Sequence, residues 1–120
     1  MAARDRTAII RDMFTAFMAK DRAVADALLA DDFTFTSPYD DAIDKAAYFE
    51  RCWPNSGRLK SQEIERICVA GDAAFVLYRC VADDDRTFRN TEFFTLAGDQ
   101  IASVNVFFGP TYRNGALVTA

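Results

Sequence analysis

Arg79 interrupts an otherwise apolar and aromatic run, Phe75-Val-Leu-Tyr-Arg79-Cys-Val, while Asn90 and Glu92 alternate with Arg89 and Thr91 between aromatic residues in Phe88-Arg-Asn90-Thr-Glu92-Phe-Phe. Alternate side chains of an extended segment share a face, so Arg79 lies with Phe75, Leu77 and Val81, where a charge needs a partner. If the intervening turn is Asp83–Arg86 or Asp84-Asp85, Arg79 falls opposite Asn90 and diagonal to Glu92, and the three form one polar cluster. A turn of odd length instead puts Arg79 in the register of Thr91 and separates the group. In the first arrangement Arg79 and Glu92 are the catalytic candidates, with Glu92 as general acid or base. Desolvation in an apolar cavity raises the pKa of such a carboxyl and a nearby arginine lowers it. The plainer reading of the same residues is a solvated cross-strand ion pair worth less than about 1 kcal/mol.

The chain has no histidine. That removes the commonest general base and the commonest metal ligand together, and with them Ser-His-Asp triads, Cys-His pairs and histidine-zinc sites. Cys52, Cys68 and Cys80 are odd in number and widely spaced, which suits neither a disulfide framework nor a set of zinc ligands. They read as reduced thiols, and no metal and no cofactor is expected.

The 120 residues carry a net charge of −4, with 51% hydrophobic and 27% charged residues, as one globular domain spanning 1–120 would. No Lys/Arg run could track a phosphate backbone or an anionic lipid surface, so neither nucleic acid nor a membrane is an expected partner. Met1 to Thr7 lacks an apolar segment of a signal peptide, and no stretch reaches the roughly 18 apolar residues of a membrane span. A cytoplasmic location is the resulting expectation.

The elements that would position the polar cluster follow from periodicity. Ile9, Ile10, Met13, Phe14, Phe17 and Met18 recur at helical spacing and predict an amphipathic helix from about Arg4 to Lys20. Asp21 suits the N-cap of a short second helix with Val24, Ala27 and Leu28 on its apolar side. Phe33 to Ser37 reads as a short strand stopped by Pro38, followed by a loop at Tyr39-Asp40-Asp41-Ala42. Asp44 caps a third helix running to about Trp53, with Ile43 and Tyr48 spaced as a hydrophobic staple. Beyond Leu59 the period changes to two, and Ser61–Ala70, Ala73–Ala82, Thr87–Leu96 and Ile101–Phe108 read as an antiparallel meander. The tail after Pro110 is small and polar enough to move, or it extends the sheet edge. Helices first and a long meander afterwards make this an α+β domain with its helices on one face of the sheet.

This order of elements resembles the nuclear transport factor 2-like superfamily. Several phrases are similar to its SnoaL-like bacterial members: Leu-Leu-Ala-Asp-Asp-Phe-Thr-Phe at 28–35, Ser-Pro at 37–38, Gly-Asp-Ala-Ala-Phe-Val at 71–76 and Phe-Arg-Asn-Thr-Glu-Phe-Phe at 88–94. The resemblance implies three N-terminal helices packed on a strongly curved, mostly antiparallel sheet, a cone-shaped cystatin-like roll with a central pocket. It does not imply one activity, because the fold hosts isomerases, epoxide hydrolases, cyclases, dehydratases and non-catalytic proteins. The aspartate base of the ketosteroid isomerase members corresponds to Ser37, which has no histidine to activate it, and their tyrosine donor corresponds to about Met13 or Phe14. The epoxide hydrolase members' arginine corresponds to Arg79, but their water-activating aspartates correspond to Val81 and Val106. Both activities are therefore disfavoured, and a cyclase-type acid would be Glu92, with Asp40 or Asp41 as loop substitutes.

Beside Glu92 and Arg79, the residues expected at the pocket are Tyr39, Asp40, Trp53, Asn90, Val104, Val106 and Phe108. Tyr39, Asp40 and Asp41 are also ordinary turn formers, and an aromatic stripe such as Tyr48, Phe49 and Trp53 is more often core than ligand platform. Ser103, Asn105 and Phe107 alternate with the last pocket set and would lie on the outer face of the sheet, where an exposed Phe107 invites a two-fold homodimer. The functional expectation is a pocket for a small hydrophobic or polar organic ligand, in a cofactor-independent enzyme of the cyclase, isomerase or dehydratase type. The alternative is a non-catalytic ligand-binding or dimeric interaction domain.

Overall fold

The computed structural model describes residues 5–119. Helix α1 (Arg6–Ala19) starts at Asp5, whose carboxylate accepts from the Thr7 N–H at 3.0 Å; the expected start near Arg4 lies outside the described residues. Ile9, Ile10, Met13 and Phe14 form its buried face. Helix α2 (Arg22–Leu28) is capped by Asp21, which accepts from the Val24 N–H at 3.2 Å. Its buried residues are Ala25 and Leu28, whereas Val24 and Ala27, expected on the apolar side, are exposed. The helix has under two turns, and only this narrow stripe meets the domain.

Strand β1 (Leu29–Ser37) begins directly after α2 and is longer than the run ended by Pro38 suggested. The expected loop at 39–42 is instead mostly strand β2 (Asp40–Asp44), joined to β1 by the two-residue turn Pro38-Tyr39. Ser37 Oγ accepts from the Tyr39 N–H and Thr36 Oγ1 from the Ala42 N–H, so two hydroxyls hold a hairpin that propensity alone disfavours. Asp44 caps helix α3 (Lys45–Arg51), accepting from the Ala47 N–H at 2.9 Å. The helix stops short of the expected Trp53 because Pro54 has no N–H to continue the i→i−4 ladder, and Trp53–Arg58 forms a 3₁₀ turn.

Strands β3 (Leu59–Ala70), β4 (Ala73–Ala82), β5 (Thr87–Ala97) and β6 (Gln100–Arg113) form the expected meander, and β1 adds to β6 in parallel, giving the order β2-β1-β6-β5-β4-β3. Register shifts interrupt the β3–β4, β5–β6 and β1–β6 ladders. Bulges of this kind bend and twist a sheet, and here the sheet curls over the helices. One lies where Gly109-Pro110 oppose Arg89 alone, a place where the ladder tolerates the missing proline N–H. Strand β6 outruns its expected end at Phe108 and turns back through Asn114-Gly115, both at positive φ, into the short β7 (Ala116–Leu117). Asn-Gly is a strong two-residue hairpin signal, and it extends the sheet edge rather than leaving a free tail.

The connection between β4 and β5 decides which residues share the concave face. Ala82 N–H donates to the Arg86 carbonyl, leaving Asp83, Asp84 and Asp85 as a three-residue turn with Asp85 at φ 69°. A left-handed third residue is the usual way to close such an odd turn. Tyr78 therefore pairs with Asn90 and Val76 with Glu92, while Arg79 pairs with Arg89. The even-turn register is corrected, and so is the odd-turn expectation of a Thr91 partner.

The core lies between the concave face and the helices. Val76, Tyr78, Cys80, Phe94, Leu96, Ile101, Val104 and Val106 of the sheet are buried against Ile9, Ile10, Met13 and Phe14 of α1 and Tyr48 and Phe49 of α3. The convex face is unlike an ordinary solvated surface: Phe75 is 52% and Phe107 54% exposed, and Phe75 meets Phe93 at a centroid distance of 4.7 Å. Among the described residues no helix is long and apolar enough to cross a membrane.

Candidate functional site

A cavity of about 570 Å³ opens between the concave face and the helices, within the range of small-molecule sites. Phe14, Phe33, Phe35, Phe94, Val104 and Val106 belong to its apolar wall. Alternation on β4 sends Tyr78 and Cys80 inward, and alternation on β5 does the same for Asn90 and Glu92.

The polar groups of the wall form a directed chain. Gly109 N–H donates to Asn90 Oδ1 at 3.3 Å, and Asn90 Nδ2 donates to the Tyr78 hydroxyl at 3.1 Å. That leaves the Tyr78 proton free to point at Glu92, to whose carboxyl it donates. The bulge at Gly109 thus orients Asn90, Asn90 orients Tyr78, and Tyr78 holds Glu92.

Glu92 lines the cavity and is part-buried by surface area, with protein packed around its carboxyl replacing much of its hydration. This desolvation pushes its pKa up to about 8, against the opposing hydrogen bond from Tyr78. The carboxyl is therefore mostly protonated at neutral pH. Burial, reinforced by the nearby Glu92 carboxyl, also holds the Tyr78 and Tyr48 phenols far above the ordinary tyrosine range, so both remain hydrogen-bond donors. Cys52 and Cys80 line the same space, but burial raises their thiols to about 11 and about 12, which leaves little thiolate for nucleophilic work.

At the mouth, Tyr39 and Phe108 meet edge to face at 5.6 Å, and Arg51 bonds the buried Asp40 carboxylate at 2.6 Å. Asp40 is thus neutralised by a neighbour. Ser37 lines the cavity while its hydroxyl is engaged in the β1–β2 turn. Among the described residues no group of three or more His, Cys, Asp or Glu comes together in a way that could hold a metal.

Of the residues singled out in the sequence, the fold places Glu92, Asn90, Val104, Val106, Phe108, Tyr39 and Asp40 on this cavity. Two positions are corrected. Arg79 stands on the convex face in a row with Glu63 and Arg89, because the three-residue turn shifts the β4–β5 register by one. Trp53 lies in the core, edge to face with Phe17 and Phe49 at 5.4 Å each, and does not line the cavity. Tyr78 and Gln62 were not foreseen. Tyr78 becomes legible once Arg79 is turned outward, since neighbours on a strand face opposite ways. Gln62 sits beside Cys80 and donates to its sulfur at 3.8 Å, while its buried Oε1 has no hydrogen-bond partner among the described residues.

A model of the SnoaL-like domain matches residues 10–104. A search of curated proteins found no match. Among solved structures, the fold is shared with a nuclear transport factor 2-like protein of unknown function from Cytophaga hutchinsonii (TM-score 0.71, 17% identity, 90% of this chain and 94% of the other). It is shared too with a candidate ketosteroid isomerase from Kribbella flavida (TM-score 0.72, 18% identity, 88% and 78%). A candidate polyketide cyclase from Sinorhizobium meliloti is similar as well (TM-score 0.68, 19% identity, 82% and 93%). At these identities the likeness is one of fold.

Proposed function

This chain belongs to the SnoaL-like domain family, and on that premise we propose that it binds a small organic molecule beneath its sheet and acts on it without a cofactor, as an isomerase, cyclase or dehydratase. Glu92 is the general acid or base. One observation carries the reading: a carboxyl in the wall of an open cavity, with a pKa near 8, beside two phenols that stay protonated. A group titrating close to the working pH can both give and take a proton. As the acid, Glu92 hands its proton to a carbonyl or leaving oxygen; as the carboxylate, it takes one from the carbon next to a carbonyl. Tyr78 and Tyr48 supply the neutral donors that would stabilise a developing oxyanion. The names of the candidate isomerase and cyclase that share the fold fall in the same reaction classes.

The competing reading is a non-catalytic binding or interaction domain. An open cavity with a polar wall favours the first reading over a cavity filled by the protein's own aromatic side chains. A homodimer through the convex face accompanies either, because Phe75, Leu77, Phe93 and Phe107 place a broad apolar surface there. The cytoplasmic location belongs to the same proposal.

The test is proton exchange. A benzo-fused cyclic ketone small enough for the cavity, 2-tetralone, is incubated with the protein in D2O, and loss of its α-protons is followed by NMR. Exchange should be accelerated by the wild type and not by Glu92→Gln, with a pH profile rising toward a midpoint near 8. Ketone binding seen in amide spectra with equal exchange in both proteins would transfer the reading to a non-catalytic binder.

A further inference from the structure

The charge on the cavity lining runs against that of the molecule. The chain is acidic, with a net charge of −4, yet the lining holds Arg51, Arg58 and Arg86 against Asp40 and Glu92. Asp40 is taken up by Arg51, and Glu92 carries its proton at neutral pH. That leaves, at one end of the cavity, Arg58 and the guanidinium of Arg86 with its Nε engaged by Asp84 outside the lining.

Their placement is fixed by backbone. Arg58 ends the 3₁₀ turn and its carbonyl accepts from the Asp83 N–H at 2.9 Å; the Arg86 carbonyl accepts from the Ala82 N–H at 2.8 Å. The two residues thus flank the same end of β4, with Leu59, Ala82, Phe88 and Thr111 between them and the deeper wall. Arg58 has no ion-pair partner among the described residues. Arg86 bonds Asp84 through Nε at 2.7 Å, and Arg113 shares that carboxylate at 3.4 Å. Asp85 is engaged by Lys60, and none of the three aspartates of this turn lines the cavity. Along the cavity the chemistry thus changes from cationic, through apolar and aromatic, to neutral hydrogen-bond donors at Tyr78 and Glu92.

We infer that the ligand of this cavity is an amphipathic organic anion, whose carboxylate is held at the mouth by Arg58 and Arg86 and whose apolar body extends toward Tyr78 and Glu92. This inference rests on the pocket reading given above and adds the substrate class. A guanidinium matches the planar carboxylate, and the apolar wall demands a body with few polar atoms. A second oxygen on that body, a carbonyl or hydroxyl, would meet the Glu92 and Tyr78 donors. An orientation with the carboxylate against Glu92 and Tyr78 is the alternative that the test must separate.

Two probes of the same shape differ only in charge at neutral pH: 2-naphthylacetate and 2-naphthylacetamide. Each is titrated into the protein by calorimetry, with amide spectra recorded to locate binding. The carboxylate should bind at least tenfold more tightly than the amide and shift resonances of cavity residues. Raising salt from 50 to 500 mM should weaken the carboxylate alone. In the Arg58→Ala/Arg86→Ala variant, its amide spectrum confirming the fold, the carboxylate should fall to the affinity of the amide, and the amide should be unaffected. Equal binding of the two probes to the wild type would overturn the inference and leave the pocket reading standing. A carboxylate preference that survives in the double variant would overturn the arginine assignment. Failure of both probes to shift any cavity resonance would overturn the inference and the pocket reading together.

Discussion

Glu92 gives the sharpest test, because its position has a thermodynamic signature independent of any ligand. Its pKa rises from 4.5 in the unfolded reference to about 8 in the fold. The folded state therefore keeps a proton that the unfolded chain releases above pH 4.5. Stability from this group is fully present below the unfolded pKa and declines as pH rises through the window from about 4.5 to 8, where it levels off. At roughly 1.4 kcal/mol per pH unit the displacement amounts to about 4–5 kcal/mol. Glu92→Gln keeps the shape and a hydrogen-bonding amide but cannot ionise. Urea melts of both proteins at pH 5.5, 6.5, 7.5 and 8.5 isolate the group, since every other titration is common to them. The wild type's stability relative to the variant should fall by roughly 1.4 kcal/mol per pH unit up to about pH 7.5 and level off only above about pH 8. A carbon-13 titration of the Glu92 carboxyl should show a midpoint near 8. A relative stability that is flat, or that rises with pH, would refute the argument: the carboxylate would then be solvated or paired.

Gly109 is fixed by space rather than by torsion, because a Cβ there would stand 2.0 Å from the Arg89 carbonyl oxygen. Gly109→Ala should cost about 1–3 kcal/mol in a urea melt, whereas Gly57→Ala, with nothing within 4 Å, should stay within about 1 kcal/mol of wild type; equal losses would remove the bulge from its orienting role. The convex face predicts a dimer by light scattering at micromolar concentration that Phe107→Glu converts to a monomer, and a wild-type monomer at high micromolar concentration would sink that proposal.

Local periodicity and capping residues determined most of the elements. The 3.6-residue pattern of Ile9, Ile10, Met13 and Phe14, the caps at Asp21 and Asp44 and the alternation after Leu59 depend on neighbours within one turn of helix or a few strand residues, and each appears in the fold. Val104, Val106, Asn90 and Glu92 shared a cavity wall for the same reason, being spaced by two on strands whose buried face was legible. Where hydroxyl bonding overrides propensity, the strand Asp40–Asp44 takes up most of the segment 39–42 that the sequence predicts as a loop. Only the tertiary structure decided which face of β4 turns inward. Both faces, Phe75-Leu77-Arg79-Val81 and Val76-Tyr78-Cys80, are largely apolar, so hydrophobicity does not choose between them. The choice falls to the Asp83-Asp84-Asp85 turn and its left-handed Asp85. Because strand side chains alternate with a period of two, one residue of turn length exchanges the faces. It carried Arg79 to the convex surface and brought Tyr78 to Glu92, and burial in the cavity wall then desolvated that carboxyl.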